Sequence, residues 1–368
     1  IANGTGVNYF ARDSNRLAYV QNWSLGFQYQ LPQSFVLEVN YIGNKGTRLE
    51  AEGLDDLNAL PATLLSMGQM LTDPWTAASG VPQPFPGFTG TVLQALRPFP
   101  QYTGIGQQFA NFGTSLYNSL QMQLTRHFRQ GLGVLAAYTW SKWISLAPSA
   151  LDGIWAADVF NRRLERSING YGYPHYFKLT WIYEIPVGKD RRWDLGKVAN
   201  QILGGWNLTA NHQIRSGSPL SISTGGLVSN PFGDARPDLV PGEKIIINPD
   251  APINFRGVPG GVAYLNRNAF ALPPVHPGGR NIVQRLGTLG PVLPNIRGPH
   301  YTGEDIGIEK TWKIDESKSF ELRGVFLNPF NRHGRGNPVT DLSSPFFGQI
   351  TGPQVGPRNI ELSARITF

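Results

Sequence analysis

Six histidines (His127, His175, His212, His276, His300 and His333) are the most obvious candidates for chemistry. None pairs with another at the spacing of two to four residues that a metal site on one strand or helix would use. The chain has no cysteine, which removes thiolate metal sites, disulfides and cysteine nucleophiles. Ser216-Gly217-Ser218 is not followed by a helix signal, so it does not read as a nucleophile elbow. The loop from Gly225 to Asp238 has no lysine to serve a phosphate. Asn230, Asp234 and Asp238 could together offer oxygens to a calcium ion, against the simpler reading of a solvated polar loop. Catalytic, cofactor and metal residues are therefore not expected, nor is enzyme activity. What remains is a series of polar side chains: Glu38, Gln121, Lys178, Glu184, Arg215, Asp305, Glu309, Glu321, Arg323, Glu361 and Arg365. Acids and bases are mixed, as suits a wall facing water or a polar partner; an apolar core would not accept them.

Those residues sit at alternate positions of strands. The clearest case is the run Arg358 to Phe368, where Ile360, Leu362, Ala364, Ile366 and Phe368 fall on one face. Asn359, Glu361, Ser363, Arg365 and Thr367 fall on the other, an unbroken period of two. Its length matches the roughly 9–11 residues that carry a tilted strand across a bilayer. An aromatic-terminated last strand also resembles the signal read by the assembly machinery of outer-membrane barrels. Eight further alternating segments precede it: Tyr19–Leu31, Phe35–Tyr41, Ser119–Thr125, Val134–Ser141, Phe177–Ile185, Trp206–Arg215, Asp305–Trp312 and Phe320–Phe326.

The connections between these segments alternate in length. Short ones lie around Pro32, Gly131 and Asp315, and Pro186–Gly204 is of medium length. Gly43–Gly113, Ile144–Tyr173, Ser216–His300 and Asn331–Pro357 are long. Tight turns on one side and long loops on the other are the pattern of a transmembrane β-barrel, whereas a soluble sandwich shows no such bias. Several of these loops far exceed the ~12–15 residues usual in compact domains. No run approaches the ~18 apolar residues of a membrane helix. A mean hydropathy of −0.22 fits strands that are greasy on one side only. The net charge of +7 is spread along the chain, and its densest run, Lys189-Asp190-Arg191-Arg192, reads as a solvated turn. No nucleic-acid partner is expected.

Tyr138, Trp140 and Trp143 near one strand end, with Trp181, Tyr183 and Trp206 near others, read as aromatic girdles at the headgroup level. Asn118, Arg126, His212 and Lys310 are exceptions, polar residues on the expected lipid face. Arg126 and Lys310 lie toward turn ends, where long side chains can snorkel; His212 calls for a bulge or a phase shift. The expected fold class is all-β: an antiparallel transmembrane β-barrel, present as a partial, open, curved sheet of about nine or ten strands with long extracellular loops. An odd strand count with short turns in the periplasm puts Ile1–Ala18 outside the cell, unlike a complete single-chain barrel. A portion of a larger barrel, or a strand hidden in a long loop, would each account for this.

Several stretches resemble the Oar-like family of TonB-dependent outer-membrane receptors. They are Tyr117-Asn118-Ser119-Leu120-Gln121, Tyr138-Thr139-Trp140-Ser141-Lys142 and Tyr183-Glu184-Ile185-Pro186-Val187-Gly188-Lys189. Leu203-Gly204-Gly205-Trp206, Ser216-Gly217-Ser218-Pro219-Leu220 and Phe326-Leu327-Asn328-Pro329-Phe330-Asn331 follow in order, and Leu342–Ile350 leads into the last strand. The resemblance implies that residues 1–368 are the C-terminal portion of one receptor barrel of 22 strands. The signal peptide, carboxypeptidase-regulatory-like domain, plug and early strands would then lie outside these residues. It implies a bacterial outer-membrane location and energised uptake of an unidentified ligand. The implied partners are membrane lipid, the plug, the TonB complex and the barrel-assembly machinery. Two other classes stay open: an adhesion, structural or porin-like barrel, and a secreted soluble glycan-binding β-protein.

Overall fold

The computed structural model describes residues 4–12, 16–51, 53–146, 156–189, 191–315 and 317–368. Part of the expected outer segment from Ile1, part of the Ile144–Tyr173 connection, and Asp190 of the basic run lie outside the described residues. Nine long strands form one sheet: β1 (Tyr19–Leu31), β2 (Phe35–Leu49), β3 (Gly113–Arg129), β4 (Leu132–Leu146) and β5 (His175–Glu184). They continue as β6 (Trp206–Arg215), β7 (Tyr301–Lys313), β8 (Ser319–Leu327) and β9 (Asn359–Thr367). Each pairs antiparallel with its neighbours in chain order, and the three-residue strand Arg166–Ile168 adds a short rung to β4. A meander of this kind forces its connections to alternate between the two ends of the sheet. The described residues of 50–112, 147–174, 216–300 and 328–358 therefore share one end, and the short turns and the described residues of 185–205 share the other.

The tight turns have local causes. Between β3 and β4, Gln130 and Gly131 both take positive φ (51° and 78°), the geometry that matches the twist of a two-residue hairpin. In the β7–β8 turn the Asp315 carboxylate accepts from the backbone N–H groups of Ser317 (2.9 Å) and Lys318 (2.8 Å). This side-chain turn adds to the backbone bonds from Ile314 and Asp315 to the Lys318 carbonyl where the chain reverses. In β2, Gly43 stands directly opposite Trp23. A Cβ at Gly43 would lie 2.0 Å from the indole, so the ring lies over the glycine and fills its place.

The buried apolar clusters lie in the long loops. Leu220, Leu265, Phe270, Leu293, Leu342 and Ile350 form the largest core, joining 216–300 to 328–358. Leu65 joins Val228, Ile282 and Val283 in a second core, tying 50–112 to 216–300. Ala51, Leu54 and Ala156 form a third, with Phe112, Leu146 and Val159 packed against it. Connections that the sequence marked only as long are thus one folded platform. One further departure lies outside the main sheet: Thr5–Tyr9 and Tyr102–Gln107 pair in parallel, against an expectation of antiparallel pairing throughout. Among the described residues, no helix is long and apolar enough to cross a membrane.

Candidate functional site: the two faces of the sheet and the loop platform

Directly opposed residues in a ladder share a face, so the register sorts the side chains. One face carries Phe27 and Val39, opposite each other, then Val39 opposite Met122, and Leu37 opposite Leu124. It continues through Leu124–Ala136–Leu179 and Val134–Trp181–Ala210–Ile306–Phe326–Ile360. No register shift interrupts the central rungs, and the apolar set runs through all nine strands, broken toward the loop end by Lys142, opposite Asn118, and by Glu304, opposite His212. Replacing Leu179 by Arg should cost about 2–4 kcal/mol in a bilayer if it lies near the midplane. Denaturant titration of the lipid-embedded protein reads this; unchanged stability would take Leu179 off the lipid face.

The four polar exceptions noted from the sequence each have a partner, and Glu304, opposite His212 on the same face, pairs with Arg332 at 3.1 Å. Asn118 accepts from the Tyr41 hydroxyl at 2.8 Å. Arg126 donates to the carbonyls of Gln33 (3.2 Å) and Leu132 (3.4 Å) beside the Phe35 ring, at the short-turn end. Lys310 donates to the carbonyls of Gln201 (2.5 Å) and Ile202 (3.0 Å). His212 needs neither a bulge nor a phase shift, because the register passes through it unbroken. Its Nε2 accepts the Trp181 indole N–H at 3.2 Å, and the rings stack with centroids 6.4 Å apart. In hydrocarbon, where water cannot serve, such pairing is required.

The girdle set divides. Tyr138, Trp140, Trp181, Tyr183 and Trp206 share the apolar face. Trp143 does not: three residues after Trp140, it stands opposite Tyr117 on the polar face, and its N–H donates to the Ser115 hydroxyl at 2.7 Å. An odd offset along a strand always changes face. Tyr138 also bonds His175 Nδ1 (2.8 Å) near the loop end.

The other face carries Glu38 opposite Gln28 and Gln123, Gln121 opposite Asn40 and Thr139, and Lys178 opposite Gln213. Arg323 stands opposite Glu309, and Arg365 opposite Glu321, so opposite charges face each other across β7–β8 and β8–β9. Glu361 stands opposite Val325, and Asp305 accepts from the Asn328 backbone at 3.2 Å. Glu184 pairs with Arg191 at the short-connection end. At the loop end the Arg215 guanidinium lies 4.2 Å from the Tyr173 ring and 4.8 Å from the Tyr301 ring. This face also holds Val36, Leu135 and Ile182, which the alternation of charged residues had not suggested. Ile360, Leu362, Ala364 and Ile366 of the terminal strand lie on the apolar face, opposite Phe326, Gly324, Leu322 and Phe320; Phe368 follows the strand's end and is 93% exposed.

Above the sheet, the platform is stitched by ions that sequence reading missed. Glu165 and Arg236 are both buried and pair at 2.5 Å, joining loops 147–174 and 216–300. Arg236 also binds Asp234 (2.9 Å), and Glu165 accepts the Ala157 backbone N–H (3.0 Å). Arg280 bridges to Asp73 (2.7 Å), and Arg162 to Asp55 (3.0 Å). The residues considered for calcium are committed elsewhere. Asn230 donates to the carbonyls of Ala157 and Asp234, Asp234 binds Arg236, and Asp238 holds Arg285 through two bonds of 2.9 and 2.8 Å. Arg285, with the Thr288 backbone N–H, holds the Asp238 carboxyl below the usual carboxylate range. A depressed pKa adds stability above the ordinary value of ~3.9, and that stability disappears as pH falls through the lower folded value. Protease resistance of residues 216–300 should therefore fall in acid below about pH 4, and Asp238→Asn should flatten that part of the profile. A profile identical to that of the unaltered protein would remove the pair from the account.

Between loops 50–112 and 147–174 lies an open cleft of about 740 Å3. Asp55, Asp56, Phe160, Arg162 and Arg163 are among the residues lining it. Arg162 stacks 3.7 Å over Phe112, and Phe160 is 64% exposed. Polar groups of both signs beside an open aromatic ring suit a ligand with polar and flat parts. No sequence signal marked the cleft, because its walls come from loops about a hundred residues apart.

The family of outer membrane beta barrel domains has a model that matches residues 1–361. The chain belongs to this family. Its place is the bacterial outer membrane, and its fold is an all-β, mostly antiparallel sheet that, among the described residues, does not close on itself. No curated protein matches it. Among solved structures it is similar to the ferripyoverdine receptor of the outer membrane of Pseudomonas aeruginosa, with 10% identity and a TM-score of 0.40, covering 98% of this chain and 29% of that one. It is also similar to the outer membrane transporter YddB from Escherichia coli, with 8% identity and a TM-score of 0.49, covering 100% of this chain and 35% of that one. The barrel domain thus spans about a third of the length of these proteins.

Proposed function

We propose that these residues form the C-terminal part of the barrel of an Oar-like TonB-dependent receptor, with the apolar face toward lipid and the polar face toward a lumen that holds a plug. One observation carries the reading: a sheet open at both edges among the described residues, mainly apolar on one face and polar on the other, bears a folded loop platform at one end only. Glu38, Gln121, Lys178, Arg215, Glu309, Arg323 and Glu361 would then line the lumen, and the short turns would face the periplasm. The loop cleft around Arg162 and Phe160 would take the first hold on the ligand, and the energising TonB protein would act through the plug. The platform serves uptake better than adhesion, because its loops pack on one another and frame a cleft. The upstream sequence of the same reading frame should encode a plug, and the purified full-length product should bind the periplasmic domain of TonB. Deleting the gene should abolish growth on one nutrient. A full-length product with no plug and no TonB binding, with only surface attachment lost on deletion, would make it an adhesin.

A further inference from the structure

The connection 185–205 does more than turn the chain. It contains the helix Lys197–Leu203, and the C-terminal end of that helix is anchored on the sheet. The Trp312 indole donates to the Gln201 carbonyl (2.9 Å) and the Trp206 indole to that of Ile202 (3.0 Å). Lys310 donates to both carbonyls, between the two rings. The last carbonyls of a helix lack partners within it and attract a cation, so ammonium and indoles complete this end together. Lys310, Trp206 and Trp312 all belong to the apolar face: Lys310 stands opposite Trp206 and Leu322, and Trp312 opposite Phe320. The helix is therefore held against the outer side of the sheet, away from the polar face, and leaves Lys310 only 2% exposed.

Its free side is apolar. Val198 and Ile202, four residues apart, form a one-turn stripe on the helix and are 74% and 62% exposed, and Leu195, in the segment just before the helix, is 51% exposed. Trp193 is half exposed, with the Arg192 guanidinium 5.6 Å over its ring. Lys189, Arg192 and Lys197 are exposed beside them. Asp194 steadies the start of the helix by accepting from Gly196 (3.0 Å) and Asn200 (2.7 Å).

We propose that residues 193–203 are a membrane foot. The stripe enters the boundary between headgroups and acyl chains at the short-connection end of the barrel, and Lys189, Arg192 and Lys197 hold anionic phospholipid headgroups. The occupant is lipid because the stripe continues the apolar face through Trp206 and Trp312, and because the flanking charge is basic. A plug segment in the lumen could not reach it. The inference rests on the apolar face meeting lipid, and the test separates the two. Single cysteines at Val198, Ile202, Leu179 and Lys318 would carry an environment-sensitive fluorophore in the full-length gene product. These 368 residues contain no other cysteine, and any elsewhere would be replaced by serine. The protein would be reconstituted in phosphatidylcholine vesicles with or without phosphatidylglycerol.

Probes at Val198 and Ile202 should be blue-shifted relative to Lys318 and quenched most by lipids brominated near the headgroup. Leu179 should be quenched most by lipids brominated deep in the chain. Phosphatidylglycerol should strengthen the shift at Val198 and Ile202, and changing Lys189, Arg192 and Lys197 to Gln should cancel that gain. Val198 and Ile202 as wet as Lys318, with Leu179 deep, would overturn the foot and leave the face reading standing. A wet Leu179 would overturn the face reading itself. Equal insertion in both vesicles would overturn the anionic assignment.

Discussion

Prepared on its own, the 368-residue chain should fail to insert stably into lipid and should aggregate or associate edge to edge. Among the described residues, β1 pairs only with β2, and β9 only with β8. About half of the backbone N–H and C=O groups of an edge strand point outward, unpaired. Each such group costs several kcal/mol in hydrocarbon, so two open edges outweigh the gain from the apolar face. Both edge strands are open to solvent along nearly their whole length, with Leu25 77% and Leu362 76% exposed. Refolding into vesicles should give light-scattering aggregates and no heat-modifiable band on gels. Co-refolding with the remainder of the barrel should restore one. A monomeric, heat-modifiable species in which cysteines placed at Leu25 and Leu362 form a disulfide would mean a small closed barrel. The porin-like alternative would then replace the receptor.

Arg236→Ala should detach the loop platform while leaving the sheet intact. Glu165 is fully buried and Arg236 nearly so, and the substitution strands the Glu165 carboxylate without its cation. Removing one partner of a buried pair typically costs about 3–5 kcal/mol, far above the ~0–1 kcal/mol of an exposed bridge such as Arg280–Asp73. In hydrogen exchange on the full-length protein, residues 156–174 and 216–300 should lose protection while β3 to β8 keep theirs. Glu165→Gln with Arg236→Met should recover much of the loss, since no uncompensated charge remains. Unchanged protection in Arg236→Ala would show that the apolar cores alone hold the loops together.

The sequence by itself determined the strands but not all of their ends: Phe35–Tyr41 and Ser119–Thr125 run on in the structure to Phe35–Leu49 and Gly113–Arg129. A period of two needs only the alternation of side chains along an extended backbone, so all nine strands were legible, Tyr19–Leu31 and Trp206–Arg215 to the residue. It determined the alternation of short and long connections for the same reason, because Gly, Pro and Asp mark reversals locally. Tertiary structure alone decided what pairing and distance control. The register put Trp143 opposite Tyr117 and found His212 a partner in Trp181, because a ladder fixes which side chains meet. The platform had no periodic signal: its cores and its Glu165–Arg236 pair join residues seventy or more apart, through loops whose apolar residues follow no repeat. The Lys310 anchor was hidden likewise. A lysine on an apolar face reads as an exception until the helix that uses it, some 110 residues earlier, is seen to end against it.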